Sequence, residues 1–263
     1  MKEKTKKSII LALVLYGITL IVNFLGANGF INGMSQKAVS DKYPTLITPA
    51  PIAFGIWGLI YISIILSFII LLRYHKTRNS QEATESISKL FYFTCLLNIA
   101  WIIVFSYEML LLSAVLTLLL AMTNAKICMN ISSLKMNILK VPYFAFGLYT
   151  GWTMMATLLN IAALLVKFNW NIFMSVPVFW TIITLIVSMV LTAYVAYKVK
   201  NIIIPLPVSW ALLQIWLIHR SPDWFNGNYP IIMWTAIIGA FVMIIYSGFL
   251  FKYLKDTSSH QTV

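Results

Sequence analysis

The chain has 263 residues, of which 60% are hydrophobic and only 10% charged. A soluble domain carries about 25% charged residues, so this chain lacks the polar surface to cover itself in water and is an integral membrane protein. Its formal net charge of +12 does not signal nucleic acid, because the basic residues are scattered through short connections and tails, as the positive-inside rule requires.

About 20 apolar residues cross a bilayer, and nearly charge-free windows of roughly that length fall at 8–27, 51–72, 88–107, 109–128, 142–166, 176–197, 203–219 and 230–251. The expectation is an all-α fold, a polytopic transmembrane bundle of eight helices. The first window follows MKEKTKK without a small-residue cleavage site, so it reads as a signal anchor that stays. Only Glu108 separates the third window from the fourth, which predicts a helical hairpin with a minimal turn. The connections alternate in charge. The N-terminal tail, the segment 73–89 and the pairs Lys126/Lys140, Lys198/Lys200 and Lys252/Lys255 are basic, with Lys135 beside the first pair. The intervening connections hold Lys37 and Lys42 against Asp41, Glu108 alone, Lys167 alone, and Arg220 against Asp223. That pattern predicts a multi-pass protein of the cell membrane with both termini in the cytoplasm.

The connection 27–48 is the longest of the four outer ones, and its Asn28-Gly29, Asn32-Gly33 and Tyr43-Pro44 pairs are turn signals. It reads either as a lid or as a plain connector. Pro49 and Pro51 follow at its end. Two prolines so close cannot both lie deep in a helix, but at a helix start their missing N–H groups have no partner to lose. Phe54, Trp57 and Tyr61 then fall on one helical face. In the third window Asn98, Trp101 and Phe105 repeat that spacing, and in the fifth Tyr149, Trp152, Ala156 and Asn160 line one face. Such stripes serve either as a pocket wall or as packing against neighbouring helices. An Asn in hydrocarbon needs a partner, so Asn98 and Asn160 are expected to face protein. Cys95 and Cys128 are expected near cytoplasmic helix ends as reduced, packed thiols, and His75, His219 and His260 at helix ends or in a tail, away from any buried metal site. Trp170, Trp180, Trp224 and Trp234 read as an aromatic belt.

These motifs resemble those of the tryptophan-rich sensory protein / translocator protein (TspO/MBR) family, the five-helix group that includes the peripheral benzodiazepine receptor. Its proline-containing entry before Trp-x-x-x-Tyr is matched by Pro49 and Trp57 to Tyr61. Its Leu-Asn-x-x-Trp helix is matched by Leu97-Asn98-Ile99-Ala100-Trp101, and its Tyr-x-x-Trp…Leu-Asn helix by Tyr149, Trp152, Leu159 and Asn160. The family's proline before the last Tyr falls at Leu148 here, and the fourth helix has no tryptophan. The resemblance covers residues 8–166, which divides the chain into a five-helix TspO-like unit (1–166) and three additional helices with a short basic tail (167–263).

The resemblance implies a porphyrin-like tetrapyrrole, or another flat apolar molecule, bound between helices under the first long loop, with no cofactor required. Trp57, Trp101 and Trp152 would carry that site, with Pro49, Phe54, Tyr61, Phe105 and Tyr149 beside them. Ala156 would leave room, and Asn98 and Asn160 would hold helices or reach a polar edge of the ligand. Lys37 and Lys42 would meet its carboxylates. The partners implied are the lipid bilayer, a small apolar ligand and a second copy in a homodimer. A membrane-embedded sensor is the first function expected and a small-molecule transporter the alternative. No nucleophile–base pair is evident for an enzyme.

Overall fold

A computed structural model describes residues 2–134, 136–170 and 176–259. Among these residues the chain forms α1 (Lys2–Ala27), α2 (Gln36–Lys42), α3 (Ile56–Arg73), α4 (Arg78–Ser106), α5 (Leu110–Leu134), α6 (Lys140–Lys167), α7 (Pro177–Val199), α8 (Pro205–Arg220) and α9 (Pro230–Ser259), with one-turn 3-10 helices at Pro51–Gly55 and Asn137–Leu139. Helix α2 is a short piece inside the first long loop. The other eight correspond to the eight apolar windows.

Among the described residues seven helices are long and apolar enough to cross a membrane. The eighth, α8, has 16 residues and so runs about 24 Å, short of a hydrocarbon core of about 30 Å. The window 203–219 is thus not a full span. The reason lies in the turn before it. Gly147 and Gly151 leave a groove on α6, where an added Cβ would lie 2.6 Å from Asn201 Oδ1 and 2.2 Å from Ile204 O respectively. The segment 201–204 sinks into that groove, and α8 begins there, about 10–16 Å along α6. Irregular backbone at such a place must be satisfied internally. Asn201 donates to Tyr143 O at 3.0 Å and accepts from Ile203 N at 2.9 Å, and Tyr143 Oη accepts from Ile202 N at 2.8 Å.

Helix α4 also departs from its window, starting at Arg78 rather than near 88. Thr77 caps it by accepting from Ser80 N at 3.3 Å, and Ser80, Ala83 and Ile87 are buried, so packing carries the helix ten residues past the apolar run. Nearly charge-free windows mark the crossing, not the helix end.

Helix α6 is the axis of the bundle. Its apolar window is 67% buried, against 33% for α1 and for α9, and α3, α5 and α8 all pack on it. Helix α4 lies between α1 and α5, while α9 packs on α8 and α7. Tyr92 Oη donates to Ser8 O at 2.8 Å at one end of the bundle, which also holds the start of α1 and the end of α9. The opposite end carries the long loop, the Glu108 turn and the ends of α6 and α8. Both cysteines are free and buried. Cys95, however, sits mid-helix in α4 rather than near an end.

Candidate functional site

The three aromatic stripes meet. Trp57 on α3 stacks on Trp101 of α4, with ring centroids 6.2 Å apart and planes at 28°, and meets Trp152 of α6 edge-on at 6.3 Å and 85°. Tyr61 also stacks on Trp57 at 5.4 Å, and Tyr149 meets Trp57 edge-on at 5.8 Å. Phe54 abuts Trp152 at 6.0 Å, and Phe105 packs on Trp101 at 5.9 Å. All seven aromatic residues expected at the site therefore belong to one connected cluster drawn from α3, α4, α6 and the 3-10 turn before α3. Each offset or edge-on pair adds about 0.5–1.5 kcal/mol beyond area burial. Trp101 and Trp152 are buried, Trp57 is half-buried and Phe54 is exposed. The indole N–H groups of Trp101 and Trp152 are buried without a hydrogen-bond partner.

A polar network lies along the cluster. Asn98 Nδ2 donates to Tyr149 Oη at 3.0 Å, and Asn98 Oδ1 accepts from Asn23 Nδ2 at 2.6 Å. Asn23 Oδ1 in turn accepts from Tyr61 Oη at 2.8 Å. Four helices, α1, α3, α4 and α6, are joined through these side chains. Asn98 is fully buried, as an amide at that depth demands. Asn160 instead accepts from Ser113 Oγ of α5 and donates to Ala156 O at 2.8 Å. Ala156 and Asn160 continue the stripe along α6 beyond Trp152 without joining the ring contacts. Pro49 is buried and lines, with Phe54, Lys37 and Trp224, a small cavity of about 30 Å³. Sequence patterns overlooked Asn23 and Tyr16. Tyr16 is buried on α1 beside Tyr61 and Phe91, but α1 carries no repeated stripe to signal either residue.

The long loop is a roof. Ser35 caps α2 by accepting from Ala38 N at 3.1 Å, and the fully buried Val39 packs in one apolar cluster with Trp101, Ile102, Phe105 and Leu110. Glu108 latches the roof: its carboxylate accepts from Lys42 Nζ at 2.8 Å and from Tyr43 Oη at 2.6 Å. Lys167 Nζ donates to Glu108 O at 2.6 Å, and Asn32 Nδ2 to Ser106 O at 3.1 Å. The Lys42 ammonium and the Tyr43 hydroxyl hold the Glu108 carboxyl below its ordinary range. Lys37 is paired with Asp41, so both cations expected to greet ligand carboxylates are engaged with acids of this chain.

Helix α8 pins the proline entry from behind. Trp210 Nε1 donates to Ala53 O at 3.0 Å, and Ala50 N donates to Gln214 O at 3.3 Å. His219 Nε2 lies 2.8 Å from Leu46 O. Although it ends its helix, His219 is fully buried, stacked on Phe225 at 4.3 Å between centroids.

With this geometry in place, comparison with protein families is informative: a family model described as TSPO-like protein matches residues 9–249. The chain belongs to the TSPO-like protein family. Searches of curated proteins and of solved structures returned no match. The family match runs well past residue 166, where the motif resemblance stops, and takes in α7, α8 and most of α9. In this TSPO-like chain α8 holds the entry that presents Phe54 and Trp57 to the aromatic cluster.

Proposed function

We propose that this TSPO-like membrane protein is a sensor or receptor that takes a flat apolar ligand, such as a protoporphyrin-like tetrapyrrole, at the Trp57–Trp101–Trp152 cluster. The convergence of three indoles from three helices beneath a latched roof is the observation that carries this reading. A large π-surface is the natural complement of such a cluster. The rings touch one another, so a ligand enters by parting them, and the exposed Phe54 with the half-buried Trp57 marks the way in. The unpartnered N–H groups of Trp101 and Trp152 favour a ligand that also carries hydrogen-bond acceptors at its edge. By the charge rule the roofed end faces outward and the basic end, with both chain termini, lies in the cytoplasm of the cell membrane.

Titration of the purified protein with protoporphyrin IX tests the proposal. Intrinsic tryptophan fluorescence should quench saturably, and Trp57→Ala and Trp152→Ala should both weaken binding. Micromolar protein without saturable quenching rejects it. The roof closed over the cluster by the Glu108 latch favours one second reading, transport of the same ligand. Uptake of protoporphyrin into proteoliposomes supports the transporter, and binding without flux supports the sensor.

A further inference from the structure

A second cavity lies on the far side of α6 from the aromatic cluster. It is a groove of about 380 Å³ between α5, α6 and α7, floored by Met155 and by Val208 of α8, and falls within the size range of small-molecule sites, about 300–1,000 Å³. Helical spacing puts Met154, Leu158 and Ile161 on the face of α6 opposite Trp152 and Ala156. On α5 the groove exists because Ala114 and Ala121 stand where larger side chains would fill it. Leu111, Leu118 and Leu191 form an exposed rim on spanning helices, so the groove is continuous with the surface that meets bilayer hydrocarbon. Its lining is almost wholly aliphatic. Ser188 Oγ donates to Leu185 O at 2.6 Å and Thr157 Oγ1 to Thr153 O at 2.8 Å, each closed onto its own helix.

We propose that this groove holds one acyl chain of a bilayer phospholipid as a resident lipid. A ligand with polar groups would leave them unbonded against these walls, whereas a chain whose headgroup stays at the interface loses nothing. Length agrees with chemistry. From Leu111 to Ala121 the groove follows α5 for about 15 Å, which is half of a hydrocarbon core of about 30 Å and thus the depth of one leaflet, the leaflet at the roofed end. Filling the groove also restores the dispersion contacts that a void between helices forfeits. The site is independent of the ligand proposed at the tryptophans, on the opposite face of α6.

Native mass spectrometry of the full chain, delipidated and then supplied with palmitoyl-oleoyl phosphatidylcholine, tests the proposal. The wild-type chain should retain one lipid through detergent washing. Ala121→Phe should cut retention at least fivefold, Ala114→Leu should act in the same direction, and Ile245→Phe, on the lipid-facing side of α9 where residue 245 is 69% exposed, should leave it unchanged. Near-UV circular dichroism of the tryptophan cluster reports whether each variant is folded, and if Ala121→Phe is not, Ala114→Leu decides. Complete stripping of the wild-type chain, equal retention by a folded groove variant, or retention of palmitic acid but not of the phospholipid overturns the assignment.

Discussion

Trp210 gives its indole proton to the carbonyl oxygen of Ala53 at 3.0 Å, across 157 positions of sequence. This contact fastens α8 to the 3-10 turn Pro51–Gly55 that delivers Phe54 and Trp57 to the aromatic cluster. Trp210→Phe keeps an aromatic ring, though a smaller one than the indole, and deletes the bond, so it should cost at least about 1 kcal/mol in thermal unfolding in detergent. It should also weaken protoporphyrin binding, because the entry turn loses its anchor. Unchanged affinity in a folded Trp210→Phe protein would show that α8 does not position the site.

The Glu108 latch should be sensitive to acid. Its carboxyl is held below the ordinary value by its bonds to Lys42 and Tyr43, so the unlatched loop binds a proton more readily than the latched one. The latch is therefore fully present above the ordinary carboxylate value of about 4.3 and is lost as pH falls through the depressed value. Hydrogen exchange of residues 36–43 should be faster in Glu108→Gln than in wild type at neutral pH, and acidification through the depressed value should erase the difference. Identical exchange at neutral pH would remove Glu108 from the latch.

Asn98 bonds both Asn23 and Tyr149. Asn98→Leu abolishes both bonds at similar volume and should destabilise the bundle by about 2 kcal/mol, at the interhelical scale of roughly 1 kcal/mol per bond. Tyr149→Phe breaks one bond and should cost about half as much. Thermal unfolding of the two variants side by side checks the ordering, and a costlier Tyr149→Phe would mean that the Tyr149 hydroxyl, rather than the Asn98 amide, carries most of the network's stability.

Gly151 permits the descent of the segment before α8, since a Cβ there would lie 2.2 Å from Ile204 O. Backbone cannot yield as a flexible side chain would, so Gly151→Ala should cost about 1–3 kcal/mol and loosen the Trp210–Ala53 contact. Gly17→Ala, where nothing lies within 4 Å, should be neutral or mildly stabilising. Equal melting of the two variants would refute the close approach.

Much of the fold was legible in one dimension. Eight apolar windows became eight helices, seven of them long enough among the described residues to cross a membrane, and the single Glu108 between the third and fourth did mark a tight turn, with that residue in the left-handed region at φ 57°. The stripe spacings put Trp57 with Tyr61, Trp101 with Phe105, and Tyr149 with Trp152, each pair on one face of its own helix, because a helix turns residue number into direction. Helix limits were less legible: α4 gains its first turns by burying Ser80 and Ile87, and α8 loses length to a turn that only the small residues of α6 admit. The sequence placed His219 at a helix end without showing that it is buried, which Leu46, 173 positions away, and Phe225 and Tyr229 of the following turn bring about. Asn23 stood alone in its helix and had no pattern to announce it.

Composition and periodicity are properties of neighbours along the chain, and from them alone follow the membrane, the helices, the charge asymmetry between the two ends and the aromatic faces. Which faces meet is a property of packing. The stacking of Trp57 on Trp101, the Glu108 latch and the grip of α8 on the proline entry each join side chains tens of residues or more apart, and their partners are chosen by shape and hydrogen bonding once the helices assemble.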